Sequence, residues 1–185
     1  RNAAVSPSFR KKCANGVYAY RLTHNWPQLH GLNKGSRKLL ETAALLHDIG
    51  ITINFYSHAR HSAYMIQNAQ IFGLTHKEQI MTSAIAGWHN GVSKNYFRDR
   101  LYKEMLSDDN WKAINKMALL LALAESLDYS QTNKIHSIRP QVTEKGAVLS
   151  IYADELHSIE MHQIKTHLSW FKKTFNCELT INLEK

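Results

Sequence analysis

The run Leu39–Gly50 (Leu-Leu-Glu-Thr-Ala-Ala-Leu-Leu-His-Asp-Ile-Gly) constrains this chain more than any other stretch. Leu39, Leu40, Ala43, Ala44, Leu45 and Leu46 recur at helical spacing and predict a helix with a broad apolar face. His47 and Asp48 then interrupt a run otherwise fit for burial, and Gly50 reads as the C-terminal stop. Adjacent helical residues diverge by about 100° and do not normally converge on one target. At the end of a helix they can share a cation, because the last carbonyls are free and the dipole is negative there. The plainer account is a capping His beside a capping Asp.

The rest of the chain extends this helical theme and then leaves it. A helix is expected over Arg10–Trp26, with Val17 and Tyr20 on its apolar face beside Tyr18 and Leu22, and with Pro27 ending it. Ser36 is the expected N-cap of the His-Asp helix. Residues 51–57 alternate briefly and read as a connector beneath a helical layer. A helix over Ala59–Phe72 is closed by Gly73. Thr75-His-Lys-Glu78 is a capping box that opens a helix through Ile80, Ala84, Ile85 and Trp88, ending near His89.

Residues 92–100 read as a polar, basic loop, followed by a short helix around Leu101–Leu106. Asp108 or Asp109 is expected to cap a long helix, Trp111–Tyr129, rich in core candidates. Then the period changes. Lys134–Thr143 and Ala147–Ala153 read as strands joined at Glu144-Lys145-Gly146. Leu156–Phe175 is again helical, with Ile159, Thr166, Trp170 and Lys173 on successive turns, and Cys177–Leu183 alternates as a last strand. The expected fold is mainly α: a helical bundle over residues 1–130, followed by a small ββαβ appendage over 131–185.

Composition narrows the class of function. With 185 residues, 44% of them apolar, the chain can bury a core as one domain of ordinary size with a small appendage. No run reaches the length of a membrane span and no leader pattern is read, so no membrane partner is expected. Cys13 and Cys177 are the two cysteines, which makes a disulfide framework untenable and a reducing cytoplasm the expected setting. The chain opens at Arg1 with no Met, as a fragment of a longer protein would.

Formal charge is +8 and unevenly spread. Residues 1–116 hold 16 Lys and Arg against 7 Asp and Glu, whereas residues 117–185 hold 7 against 8. The basic half favours a polyanion such as a phosphate polymer, a nucleic acid or an anionic surface. A basic surface that is merely well solvated explains the same numbers.

Several of the 11 histidines fall where helices end or begin. His47-Asp48 close one helix, His58 and His61 open another at i, i+3, and His89 closes a third. Glu125 and Asp128 stand at i, i+3 near the end of a fourth. Imidazoles and carboxylates gathered from several helices suit a divalent cation. Unrelated core and surface histidines are the alternative.

In order, Ala43-Ala-Leu-Leu-His-Asp-Ile-Gly50, His58-Ala-Arg-His-Ser-Ala-Tyr64, Ala86-Gly-Trp-His89 and Leu123-Ala-Glu-Ser-Leu-Asp128 make a set far more specific than His-Asp alone. With Trp26–Leu32 they resemble the HD-type C-terminal domain of the exopolyphosphatase / guanosine pentaphosphate phosphohydrolase (Ppx/GppA) family. The resemblance covers roughly residues 10–130, and the ββαβ tail looks like the same family's C-terminal end. It implies an HD-like helical bundle. It also implies that phosphate cleavage belongs to an N-terminal actin-like domain, whose Gly-rich phosphate loops are absent from this sequence. This half would bind inorganic polyphosphate and support a homodimer.

By that resemblance the metal ligands are His47, Asp48 and Glu125, with Cys13, His61, His89 and Asp128 as further candidates. Two of these depart from the family pattern. Cys13-Ala-Asn-Gly-Val17 stands where an early His is usual, and Glu125 where Asp is usual. A Cys ligand favours zinc over magnesium or manganese, with iron a further option; without occupancy no cofactor is required. Phosphate contacts are expected from His58, Arg60, His61, His89, Lys94, Arg98 and Arg100, with Lys103 extending the track. His58-Ala-Arg-His61 replaces the family's His-His-Lys-His, and Asn90-Gly91 replaces a basic residue.

Two other readings stand beside this one. In the first, an HD-type metal-dependent phosphohydrolase acts on a nucleotide, with His47 and Asp48 holding a catalytic ion. In the second, the chain is a nucleic-acid-binding module, which the charge permits but no basic helix interleaved with aromatics supports. Trp88, Trp111 and Trp170 read as core or interface anchors.

Overall fold

A computed structural model describes residues 7–90, 104–132, 134–154 and 158–184, with side chains from residue 16 onward. It is mainly helical with one small sheet, as expected. The helices are α1 (Pro7–Asn25), α2 (Pro27–His30), α3 (Lys34–Leu46), α4 (His58–Asn68), α5 (His76–Trp88), α6 (Asp108–Ser126), α7 (Ser158–Thr166) and α8 (Leu168–Phe175). A single 3-10 turn spans Ile49–Thr52, and the strands are β1 (Ile135–Thr143), β2 (Gly146–Ala153) and β3 (Leu179–Glu184). Among the described residues no helix is long and apolar enough to cross a membrane.

The chain forms two compact units. One comprises residues 32–122; the other comprises residues 1–31 with 123–185. The boundary at 130/131 expected from sequence marks the change of period, whereas compactness groups α1 and α2 with the sheet.

In the unit of residues 32–122, α3 and α4 both pack on α5, and α4 also packs on the 3-10 turn. The capping box is formed: Glu78 N–H donates to Thr75 Oγ1 at 3.2 Å and Thr75 N–H donates to Glu78 Oε2 at 2.7 Å. From Ile80 to Trp88 every residue of α5 is buried, so this helix runs through the middle of the unit and not along its surface. The Gln79 side-chain amide donates to the carbonyls of Ile66, Gln67 and Ala69, closing the end of α4. Trp88 stacks on Trp111 with ring centroids 5.4 Å apart.

Two caps differ from expectation. Asn33, not Ser36, caps α3: its side chain accepts the Ser36 N–H at 2.8 Å. Ser107 takes the Asn110 N–H at 3.3 Å and donates its own N–H to Asn110 Oδ1, one residue ahead of the expected aspartates. In both cases a short polar side chain just outside the helix reaches back to a free N–H.

In the other unit α1 lies against β1, and Tyr18 donates its hydroxyl to Ile135 O at 3.3 Å. The buried face of α1 is Tyr18, Ala19, Leu22, Thr23 and Trp26, while Val17 and Tyr20 are exposed. Of the expected face, Tyr18 and Leu22 point inward and Val17 and Tyr20 outward. Trp26 packs against Phe171 of α8 at 5.8 Å. Strand order is β1-β2-β3, with β1/β2 antiparallel across Thr143↔Gly146 and β2/β3 parallel. A parallel pair requires a crossover, which α7 and α8 supply. Buried positions there are Glu160, Ile164 and Phe171, whereas Ile159 is exposed.

Candidate metal centre

The unit of residues 32–122 brings three imidazoles around one carboxylate. Helix α3 ends at Leu46, with His47 as its C-cap, and Asp48 follows at φ −100°, ψ 2°, in the sparsely populated bridge between helix and strand conformations. His47 Nε2 lies 3.5 Å from Asp48 Oδ2, so the two side chains converge despite being neighbours. Continuation as a regular helix would have splayed them. On the other side His58 Nε2 lies 3.5 Å from Asp48 Oδ1. His89, the C-cap of α5, presents its ring edge-on to His47 with centroids 4.9 Å apart and lies 5.9 Å from the His58 ring.

Gly50 positions the pair. It is not a left-handed stop; its role is close approach. A Cβ there would sit 2.2 Å from His58 O, 2.4 Å from Ser62 N and 2.7 Å from His61 Cβ. Gly50 N–H donates to Ser62 Oγ at 2.8 Å. The turn after Asp48 is thereby pressed onto the first turn of α4, which carries His58 to the carboxylate.

All three histidines are oriented by the same device. His47 Nδ1 bonds Ala44 O at 2.9 Å, His58 Nδ1 bonds Phe55 O at 3.1 Å, and His89 Nδ1 bonds Ala86 O. A carbonyl can only accept, so each Nδ1 carries a proton, and the neutral form of each ring has its lone pair on Nε2. Fixing the tautomer through the outer nitrogen is how metal-ligating histidines are usually prepared.

Burial, and next the neighbouring His47, push the His89 pKa down to about 3, against the opposing pull of the Ala86 carbonyl and Asp48. This ring is a neutral lone-pair donor at ordinary pH. His47 is fully buried, and its Nε2 has no hydrogen-bond partner among the described residues. His47, Asp48 and His89 each offer a ligand atom, all within 4.8 Å of one another. An orphaned buried nitrogen, a carboxylate and further lone pairs fit a borderline divalent cation such as zinc, iron or manganese, and fit magnesium less well.

His47, Asp48, His58 and His89 come together. His61 offers no atom to the ligand group, and Arg60, two residues past His58, is exposed about 200° around α4 from it. Glu125 lies in the last turn of α6, in the unit that includes residues 123–185. Asp128, in that same unit, is buried near Tyr18, whose phenol burial and next the Asp128 charge push up. The Cys13 side chain and residues Lys94, Arg98, Arg100 and Lys103 lie outside the described set.

A neutral His89 with its proton committed to Ala86 has none to give a phosphate. Ser62 and Gly50 are the positioning residues that sequence reasoning missed. The only local signal was the glycine itself, which read equally well as a helix stop.

A family model for Ppx/GppA phosphatase, domain III, matches residues 14–178. A Vibrio parahaemolyticus serotype O3:K6 protein, named as a guanosine-5'-triphosphate,3'-diphosphate pyrophosphatase, is 39% identical over 69 residues, covering 37% of this chain and 11% of that protein. A protein of the same name from Pseudoalteromonas translucida is 33% identical over 82 residues, 43% of this chain and 16% of its own length. The matched stretches thus span under a fifth of those relatives. The family model, by contrast, runs from the first helix to the threshold of the last strand, and the chain belongs to the Ppx/GppA phosphatase domain III family.

Proposed function

We propose that this chain is the accessory domain of a cytoplasmic Ppx/GppA phosphohydrolase, and that it holds inorganic polyphosphate through a divalent cation at the His47–Asp48 corner. The observation that carries the reading is the shared orientation of three imidazoles, each with Nδ1–H tied to a carbonyl, with the buried Nε2 of His47 lacking a hydrogen-bond partner among the described residues. His47, Asp48 and His89 would hold the ion, with His58 against Asp48. Glu125 is the further ligand by its place in the sequence resemblance. A bound cation supplies the positive charge that phosphate oxygens need.

The chain's own residues prepare this corner. The Ala44 and Ala86 carbonyls keep two imidazoles in the ligating tautomer, and burial keeps His89 neutral. By the same reading Lys94, Arg98 and Arg100 supply further cations for the polymer. Pairing of two copies belongs to the same reading, and sedimentation tests it.

The deciding experiment is elemental analysis of the purified chain, dialysed without chelator, beside His47→Ala/Asp48→Ala. Near-stoichiometric zinc, iron or manganese in the parent and none in the variant is expected, together with polyphosphate binding that the variant loses. Metal-free parent protein that still binds polyphosphate would retire the cation and leave the basic surface. The same ligand group also favours a second reading, a metal-dependent phosphohydrolase acting on a nucleotide. Release of phosphate or pyrophosphate from GTP by the metal-loaded chain would establish it.

A further inference from the structure

The segment that follows the His-Asp corner was expected beneath a helical layer, and it lies on the surface: residues 51–57 are all exposed. It is nevertheless closely tied. Ile53 N–H and Asn54 N–H both donate to Gly50 O, Tyr56 N–H donates to Asn54 Oδ1, and His58 Nδ1–H donates to Phe55 O. Ser57 stands at φ 60° in the left-handed region, with its carbonyl accepting from Arg60 N–H and His61 N–H. A non-glycine residue persists there only where its surroundings hold it.

On this held loop two aromatic rings face solvent, Phe55 68% and Tyr56 79% exposed. Their centroids are 5.9 Å apart with planes at 83°, forming a corner. The Phe55 ring is 6.1 Å from the His58 ring, and His58 in turn faces Asp48. One side chain therefore joins the aromatic corner to the ligand corner.

We infer that Phe55 and Tyr56 form a stacking platform for the base of a nucleoside triphosphate whose phosphate chain lies at the His47–Asp48–His58–His89 corner. Exposed aromatic faces held by the backbone stack a base without paying to order the loop. The step from Phe55 to His58 is short, on the scale of the ribose that separates a base from its phosphates. Ile51 and Ile53, on the same segment, are also exposed. The inference rests on the phosphate site proposed above and adds a base-recognition element to it.

The test is calorimetric titration of this chain, in buffer containing manganese chloride, with GTP and separately with inorganic tripolyphosphate. Both are compared with Phe55→Ala/Tyr56→Ala, whose exposed positions leave the fold intact. The expected result is GTP binding roughly tenfold tighter than tripolyphosphate, with that advantage gone in the variant and tripolyphosphate binding unchanged. Equal affinity for the two ligands in the parent would overturn the platform while leaving the phosphate site standing. An advantage of GTP that survives in the variant would also overturn it, because the base would then be held elsewhere. Binding of neither ligand would overturn it together with the phosphate reading. If the variant instead lost self-association in sedimentation with nucleotide affinity unchanged, the loop would belong to an interface between copies.

Discussion

Both units bury a carboxylate, and the surroundings of the two differ. Glu160, in the sheet-containing unit, is buried and takes the Ser130 backbone N–H at 2.8 Å, so a fixed donor of the chain itself meets its charge. Asp48, in the helical unit, is buried between His47 and His58, whose Nε2 atoms each lie 3.5 Å from one of its oxygens. A backbone donor offsets part of the cost of burying a carboxylate. Asp48 thus faces imidazole nitrogens that can share a cation with it, and Glu160 faces a backbone donor, so the first reads as a site and the second as a strut.

The largest expected effect breaks the helical side of this contrast. Gly50→Ala would place a methyl group 2.2 Å from a backbone oxygen, so either the turn or α4 must move. A loss of about 3 kcal/mol or more in urea unfolding is expected, with metal binding lost as well. Parent-like stability would show that the close approach of the turn to α4 is not required.

Glu160→Ala should break the other side. It strands the Ser130 N–H and costs about 2 kcal/mol, while bound metal measured by elemental analysis stays unchanged. A fall in metal content would mean that the two carboxylates are not independent.

The pH dependence sharpens the contrast further. His89 titrates at about 3 when folded and near 6.5 when unfolded, so the unfolded state binds the extra proton between those values. Stability of the metal-free protein should therefore fall as pH drops from 6.5 toward 3, by at most about 1.4 kcal/mol per pH unit from this group. His89→Gln should flatten that slope in pH-dependent denaturation, and an unchanged slope would place the titration elsewhere.

The smallest effect comes from Thr75→Ala, at the opposite end of α5 from His89. Loss of the cap should cost about 1 kcal/mol without altering metal affinity, and a large change in affinity would show that the corner depends on the whole helix.

Much of this was legible in the residues, and the reason differs from case to case. The capping box is a short-range pattern, because the donor and acceptor are three residues apart and the helix itself sets their distance. The tail strands were legible because alternation follows from the pleat. The inward face of α1 was not, since Val17–Tyr20 and Tyr18–Leu22 are both acceptable helical stripes and packing chose the second. His58 and His61 were equivalent at i, i+3, yet only His58 meets Asp48. Residues 51–57 read as covered because their apolar side chains invite burial, and they are exposed because their backbone is tied to Gly50 and His58.

The sequence by itself determined most of the helices, the strands, the family and the presence of a His-Asp pair at a helix end. These follow from Cβ directions and from caps only a few residues long. Only the tertiary structure decided which histidines share Asp48 and that Gly50 serves close approach. It also decided that an aromatic corner borders the site. Those outcomes depend on how α3, α4 and α5 lie against one another, and that geometry is set by contacts far apart in the chain.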